Sequence, residues 1–569
     1  MTQNDKGRAL SRPLAPEDLA RLSKEDGRAL LAYLDLPPVG CLNDRTFVPR
    51  AGSDDAYEIR EPLRKALLAR RDAARGFTSL DQLIGVPGFG PDELEEMTSR
   101  LSDLTRYGHK ARPVWGGPSS EREFFALLES ATRYIHIQTY IIGGAAGLRL
   151  AELLARKRRE GVETRVLFCA SGFVISGSPS GTGFVSRFSN MRSYLLNDMY
   201  VRKRILAAFS AGGVEFVNSS PIGRHWRRRD MKAAGVRNAR DYERFARERG
   251  ICSAWLDEQE AIDAECSVGF ANVDHRKMVI VDGERAFVGS QNIADSYFYS
   301  NELDPDPRVN FRNWQWHDNS AILEGGLVRE MNRLFARRWM LSGGSVFDPE
   351  DSFYSPPLAR AGDEVVSMVT TIPGSVRVPF RRNASRFALS LLGADRRPIS
   401  VGENPIRARL LALPELARED LHVEHCYPSD SGLLERWAEC ASRGASVHMV
   451  VPLWYDTAVL GAECDRFFPE LIAKGAQLHG FNRAIMHSKL LVMDGYYVAL
   501  GSYNLTLRSA RADLENELFI QGASFGGAVR DLIRGDFAEC LPVTPGAYAR
   551  YRSRRSVPIF DALIRYFVL

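Results

Sequence analysis

One stretch of this 569-residue chain occurs twice. The first copy reads His275-Arg-Lys-Met-Val-Ile-Val-Asp282-Gly-Glu-Arg-Ala-Phe-Val-Gly289-Ser290-Gln-Asn292. The second reads His487-Ser-Lys-Leu-Leu-Val-Met-Asp494-Gly-Tyr-Tyr-Val-Ala-Leu-Gly501-Ser502-Tyr-Asn504. His, Lys, Asp-Gly, Gly-Ser and Asn fall in one register without a gap. A repeat of this kind requires two similar structural halves.

The flanks repeat as well. A β-rich run from Tyr134 to Ile142 precedes a helical pattern from Leu148 to Glu160, then Gly161 and a strand from Thr164 to Phe168. The second half has Leu421 to Tyr427, a helical run Leu433 to Arg443, Gly444, and a strand Ser446 to Val451. Strand, helix, glycine stop and strand make a βαβ unit. Further helical runs follow at Tyr200 to Ala211 and Arg466 to Lys474. The expected fold is α/β: two similar halves with mixed, largely parallel sheets flanked by helices. The expected boundaries are 1–114 for a small helical N-terminal region, 115–345 and 365–545 for the halves, and 546–569 for a tail. Pro- and Gly-rich sequence around Ser342 to Gly362 joins the halves.

In an extended segment, residues two apart share a face. His275 and Lys277 therefore point together, as do His487 and Lys489, while Arg276 and Ser488 point away. Asp-Gly is a two-residue hairpin signal. Pairing about Asp282-Gly283 brings Ser290 opposite His275, and a slip brings Asn292. The same holds for Ser502 or Asn504 against His487 about Asp494-Gly495. Asp282 and Asp494 sit at the turns and read as structural residues. Each half thus gathers an imidazole, an ammonium, a hydroxyl and an amide. The imidazole can serve as nucleophile or acid near neutral pH, and the others suit phosphoryl oxygens. Two such patches supply what cleavage of a phosphodiester needs: a nucleophile on one side of phosphorus, a proton donor on the other, and cations over the remaining oxygens.

The paired motifs resemble the HKD motifs of the phospholipase D superfamily, in particular its bacterial cardiolipin synthase-like branch, over roughly residues 115–545. The resemblance implies one shared active site, a phosphohistidine intermediate, and no metal or other cofactor. By position it implies His275 as nucleophile and His487 as general acid and then base. Lys277, Lys489, Asn292 and Asn504, with Ser290 and Ser502, would bind the phosphoryl group. It also implies an acidic residue downstream of each motif that orients the histidine, for which Asp318 and Glu517 are the candidates. The expected partners are a phospholipid at a membrane surface and an alcohol or water acceptor. A nuclease of the same superfamily, acting on DNA or RNA, is the alternative.

Composition limits these readings. Seventy-five basic against 71 acidic residues give a net charge of +4, so any anion-binding surface is local. Eight scattered cysteines without a C-x-x-C pair fit neither a zinc knuckle nor a disulfide scaffold. No apolar run reaches the roughly 18–20 residues of a membrane span. The expected location is the cytoplasm, with peripheral contact to the inner face of the membrane. Two segments could make that contact: the basic-then-acidic insertion at 224–265, which also reads as a solvated charged segment or a contact to nucleic-acid phosphates, and the basic, amphipathic tail at 546–569, which could equally dock on the protein's own core. Near the N-terminus, Ser79 to Met97 resembles a helix-hairpin-helix element around Gly88-Phe-Gly90. Its second helix, however, opens with Asp92, Glu93, Glu95 and Glu96, which repel phosphate.

Overall fold

The repeated strands are apolar on one face and mixed on the other, and the protein covers both faces. The computed structural model describes residues 12–24, 27, 30–31, 34, 61–74, 77–101, 107–169, 203–219, 244, 248, 273–299, 315–371, 404–453, 455, 461 and 464–544. The insertion at 224–265, apart from Arg244 and Glu248, and the tail at 546–569 lie outside them.

The chain forms two compact units. The smaller comprises residues 1–110, 325–327 and 359–367. Its helices Glu61–Ala74 and Pro91–Leu101 pack around Leu63, Leu67, Leu83, Phe89, Leu94 and Met97. Strand β1 (Tyr107–Trp115) pairs antiparallel with β10 (Glu364–Thr371), Tyr107 opposite Val365. The glycine hairpin of the sequence is formed, with Gly88 at φ +79°. Its amides are already used: Phe89 N donates to Val86 O at 3.1 Å, and Gly90 N donates to Glu93 Oε2 at 3.2 Å. A phosphate at Gly90 would have to displace a carboxylate.

The larger unit holds both halves of the repeat. In the first, β2 (Tyr134–Thr139), β3 (Glu163–Phe168) and β4 (Glu215–Asn218) run parallel. On the other side of β2 lie β6 (Met278–Val281), β7 (Arg285–Gly289) and β9 (Asn319–Glu324), each antiparallel to its neighbour. In the second, β11 (Asp420–His425), β12 (Ser446–Pro452) and β13 (Gln477–Phe481) are parallel. They are followed in space by antiparallel β15 (Lys489–Met493), β16 (Tyr497–Gly501) and β17 (Asp513–Gln521), with β18 (Cys540–Pro542) on the far edge. The sheets are mixed because a βαβ unit makes parallel pairs, whereas Asp-Gly hairpins make antiparallel ones.

The crossover helices are Gly144–Arg159 and Ser431–Ser442. Gly161 and Gly444 follow them at φ +91° and +101°, the left-handed conformation that ends a helix with least strain. Ile135, Ile137, Val166 and Phe168 pack with Leu150, Leu154, Phe124 and Phe287 into one apolar cluster.

The hairpins differ from the expected two-residue turns. Val281 pairs with Arg285 and Met493 with Tyr497, so three residues turn the chain. Asp282 and Gly283 have φ +56° and +69°, and Asp494 and Gly495 have +54° and +60°. Extending these registers puts Gln291 opposite His275 and Tyr503 opposite His487, not the Ser or Asn expected. The aspartates hold the turns to the neighbouring strands. Asp282 accepts from the backbone N–H groups of Thr132, Arg133 and Tyr134 at 2.8, 2.7 and 2.9 Å. Asp494 does the same for Arg418, Glu419 and Asp420 at 3.1, 2.8 and 3.0 Å.

Asp282→Ala leaves several part-buried donors without an acceptor. It is expected to lower unfolding free energy in urea by about 3 kcal/mol, with Asp282→Asn losing less. A loss below about 0.5 kcal/mol, the range of ordinary surface substitutions, would contradict this role.

Candidate active site

The strand that leads into each histidine leaves its own half's sheet. Before β6, the chain forms β5 (Val273–Asp274), which pairs parallel with β17 of the other half, and His275 N donates to Leu514 O at 2.9 Å. Before β15, it forms β14 (Ile485–Met486), which pairs parallel with β8 (Trp316–His317) of the first half, and His487 N donates to His317 O at 2.8 Å. Each histidine is thus delivered against the opposite half.

The side chains repeat the exchange. His487 Nδ1 is 2.7 Å from Asp318 Oδ2. His275 Nδ1 is 3.0 Å from Glu515 Oε2 and 3.0 Å from Ser502 O. Asp318 thus meets a histidine, but that of the other motif rather than its own. Glu517 is not the second orienting carboxylate: it faces the Tyr503 amide at 3.4 Å, and Glu515 holds His275 instead. Strand register explains the difference. Gly289 pairs with Ser320 and Gly501 with Glu517, so Glu517 is equivalent to Ser320, and Glu515 to Asp318. The dipeptides Asp318-Asn319 and Glu515-Asn516 are the sequence signal that marks this equivalence.

The serines expected at the phosphate support the carboxylates. Ser290 Oγ donates to Asp318 Oδ1, and Ser502 Oγ donates to Glu515 Oε2 at 2.6 Å. Ser509, not anticipated from the sequence, donates to Glu515 Oε1 at 2.7 Å. The asparagines sit at the ends of β7 and β16 and are engaged locally. Asn292 donates to the Tyr297 hydroxyl at 2.8 Å and accepts from Ile141 N at 3.2 Å, while Asn504 Oδ1 lies 3.3 Å from Cys426 Sγ.

The lysines lie beside their histidines. Lys277 Nζ donates to His275 O at 2.6 Å, and Lys489 Nζ to His487 O at 2.8 Å. Both ammonium groups are buried, as are both imidazoles. Arg276 points the other way into a buried network, 2.9 Å from Asp274, which also meets Arg338 and Gln138. Ser488 likewise turns away, toward Glu424 at 3.1 Å. Aromatic rings wall the imidazoles: Tyr140 against His275, and Tyr297 and Trp316 against His487, at centroid distances of 5.1, 5.4 and 4.9 Å. The repeat gave no hint of these rings.

Burial presses these groups toward neutrality. It pulls His275 well below the ordinary imidazole range, helped by Lys277 and Lys489, and does the same to His487 with the same two lysines. Since both lysines act on both imidazoles, the two motifs share one electrostatic environment. Burial lowers the Lys277 ammonium to about 7 against the pull of Glu515. It raises Asp318 to about 6 and Glu515 to about 7, each opposed by a lysine, Lys489 and Lys277 respectively. With each Nδ1–H committed to a carboxylate, Nε2 is the nitrogen left for chemistry. An anion entering among these groups would favour the charged forms of Lys277 and the imidazoles.

Residues 124–304 and 410–538 match the family described as cardiolipin synthase, phospholipase D-like domain. The chain belongs to this family. The two matched segments fall within the two repeat halves and include both histidine motifs. A probable cardiolipin synthase of Bacillus subtilis is 22% identical over 450 residues, 79% of this chain and 70% of that protein. A cardiolipin synthase of Geobacillus kaustophilus is 24% identical over 74% of this chain and 64% of its own length. Cardiolipin synthase A of Citrobacter koseri is 28% identical over 45% and 47% respectively, so the match spans about half of that relative. Among solved structures, phosphatidylserine synthase of Haemophilus influenzae aligns over 82% of this chain and 98% of its own, at 12% identity and a TM-score of 0.48.

Lys277 is the cation whose charge changes near neutrality, and Glu515 gains its negative charge in the same range. Because its pKa is lowered, the cation is present below about pH 7 and lost above it. The affinity for sulfate, whose own charge is constant there, is expected to fall by up to roughly tenfold per pH unit above 7. Lys277→Arg should flatten that fall to the part contributed by Glu515, because a guanidinium stays charged. Calorimetric titration from pH 6 to 9 measures both.

Proposed function

We propose that this protein is a phosphatidyltransferase or phospholipase that cleaves a phospholipid phosphodiester through a phosphohistidine. The observation that supports this reading most is the pair of buried imidazoles, each fixed through Nδ1 by a carboxylate of the opposite half, in a site with two lysines. The family and the cardiolipin synthases similar to this chain point to the same substrate class.

In the proposed reaction, His275 Nε2 attacks phosphorus, and the bond to the leaving alkoxide breaks as His487 gives that oxygen its proton. An acceptor alcohol or water then loses its proton to His487 and attacks phosphorus, releasing His275. Lys277 and Lys489 stabilise charge on the non-bridging oxygens, with Asn292 and Asn504 placed to assist after release from their present partners. Asp318 and Glu515 keep each Nδ1 protonated, so that His275 Nε2 is free to attack while His487 Nε2 carries the proton that it gives, and they stabilise the imidazolium when it forms. The acidic proton at His487 is favoured by the substrate's own negative charge, which offsets the two lysines.

No helix among the described residues is long and apolar enough to cross a membrane. We propose peripheral contact with the membrane, through the insertion at 224–265 and the tail at 546–569. The nuclease alternative loses its N-terminal support, since the Gly90 amide is bonded by Glu93.

Incubation with phosphatidylglycerol and phosphatidylethanolamine vesicles, with and without glycerol, is expected to give diphosphatidyl or headgroup-exchanged lipid by mass. Phosphatidic acid alone would identify a hydrolase, and His275-dependent cutting of DNA or RNA without lipid turnover would replace this reading. His275→Ala and His487→Ala should each abolish turnover in a folded protein. Glu515→Gln should lower kcat by about 10²–10⁴-fold, the range of a positioned proton-transfer group, whereas Glu517→Gln should cost far less. The reverse order would return the orienting role to Glu517.

A further inference from the structure

Consecutive side chains in an extended segment point opposite ways. While Asp318 turns to His487, its neighbour His317 turns into a separate buried cluster. His317 Nε2 lies 2.8 Å from Glu424 Oε1 and 3.0 Å from Asp536 Oδ2. Neither oxygen is aligned to accept the ring N–H, so Nε2 makes no hydrogen bond, and Glu424 Oε2 also lacks a partner. His317 and Glu424 are 5% and 0% exposed. Among the described residues, no lysine or arginine pairs with Glu424 or Asp536. Two carboxylates and one imidazole nitrogen thus converge, and buried Nε2 and Glu424 Oε2 are left without hydrogen-bond partners.

The geometry points to a divalent cation site. We propose that His317, Glu424 and Asp536 bind one first-row divalent ion of the Zn²⁺ type. Nitrogen and oxygen ligands at about 2.0–2.2 Å from such an ion stand roughly 3–3.5 Å from one another, and the two carboxylate oxygens lie 2.8 and 3.0 Å from Nε2. All three ligand atoms lie within 4.8 Å of one another. The surroundings are those of a ligand set held from behind: Trp115 Nε1 donates to Asp536 Oδ2 at 2.9 Å and Ser488 Oγ to Glu424 Oε1 at 3.1 Å. The Tyr299 hydroxyl stands 3.4 Å from Nδ1, able to accept its proton once Nε2 is taken by a metal. The Asp536 side chain, 16% exposed, leaves a side open for entry and for a water ligand.

The ion would be structural. His317 belongs to the first half, and Glu424 and Asp536 to the second, so binding would tie the halves together at β8. The next residue on β8 is Asp318, which holds His487.

The test is titration of untagged, EDTA-stripped full-length protein with Zn²⁺, and separately Mn²⁺, reading metal content after gel filtration and the thermal midpoint. One bound equivalent and a raised midpoint are expected for the wild type. Glu424→Gln and Asp536→Asn should each weaken binding about tenfold or more and remove the rise. No bound metal with an unchanged midpoint would overturn the proposal. So would binding that both variants retain, which would locate the ion elsewhere. The wild-type titration decides the matter even if one variant fails to fold.

Discussion

The active site depends on a reciprocal exchange between the two halves. β5 of the first half pairs with β17 of the second, and β14 of the second pairs with β8 of the first. Each exchange sets a histidine backbone against a foreign strand and, within two residues, sets its Nδ1 against a foreign carboxylate. Neither half can complete a histidine–carboxylate pair alone. The halves are therefore obligate partners, and one site follows from two copies of one motif.

Such a site costs desolvation, and the local bonding offsets it. Ser290 holds Asp318, while Ser502 and Ser509 hold Glu515, so the carboxylates keep hydrogen bonds in the absence of water. Asp274, the residue just before His275, is kept ionised despite burial by Arg276 and Arg338 and is itself anchored by them. Burial leaves Lys277 and both imidazoles poorly solvated and shifted toward their neutral forms.

The motif aspartates belong to a different level of the structure. Asp282 and Asp494 take left-handed turn conformations and bind three backbone amides each. They fasten each hairpin to the start of β2 or β11, which fixes the height at which β6 and β15 begin and hence where the lysines stand. The smaller unit has its own core and its own glycine hairpin, closed by Glu93.

The sequence by itself determined the two βαβ halves, their glycine stops, the hairpins after each His-x-Lys, and the two histidines and lysines of the site. Those are local matters: periodicity, turn residues and exact repetition lie within short stretches of chain. Register needed more, because one additional residue in each turn changed what faces the histidines. The choice of Glu515 over Glu517 needed the pairing of β16 with β17, although the matching Asp318-Asn319 and Glu515-Asn516 carried a trace of it. The serines as supports for carboxylates, the aromatic walls, the crossing of each carboxylate to the other half's histidine, and the cluster at His317 were decided only by tertiary structure. The reason is physical: these contacts join residues far apart in the chain, and no local pattern encodes which strand of one half lies beside which strand of the other.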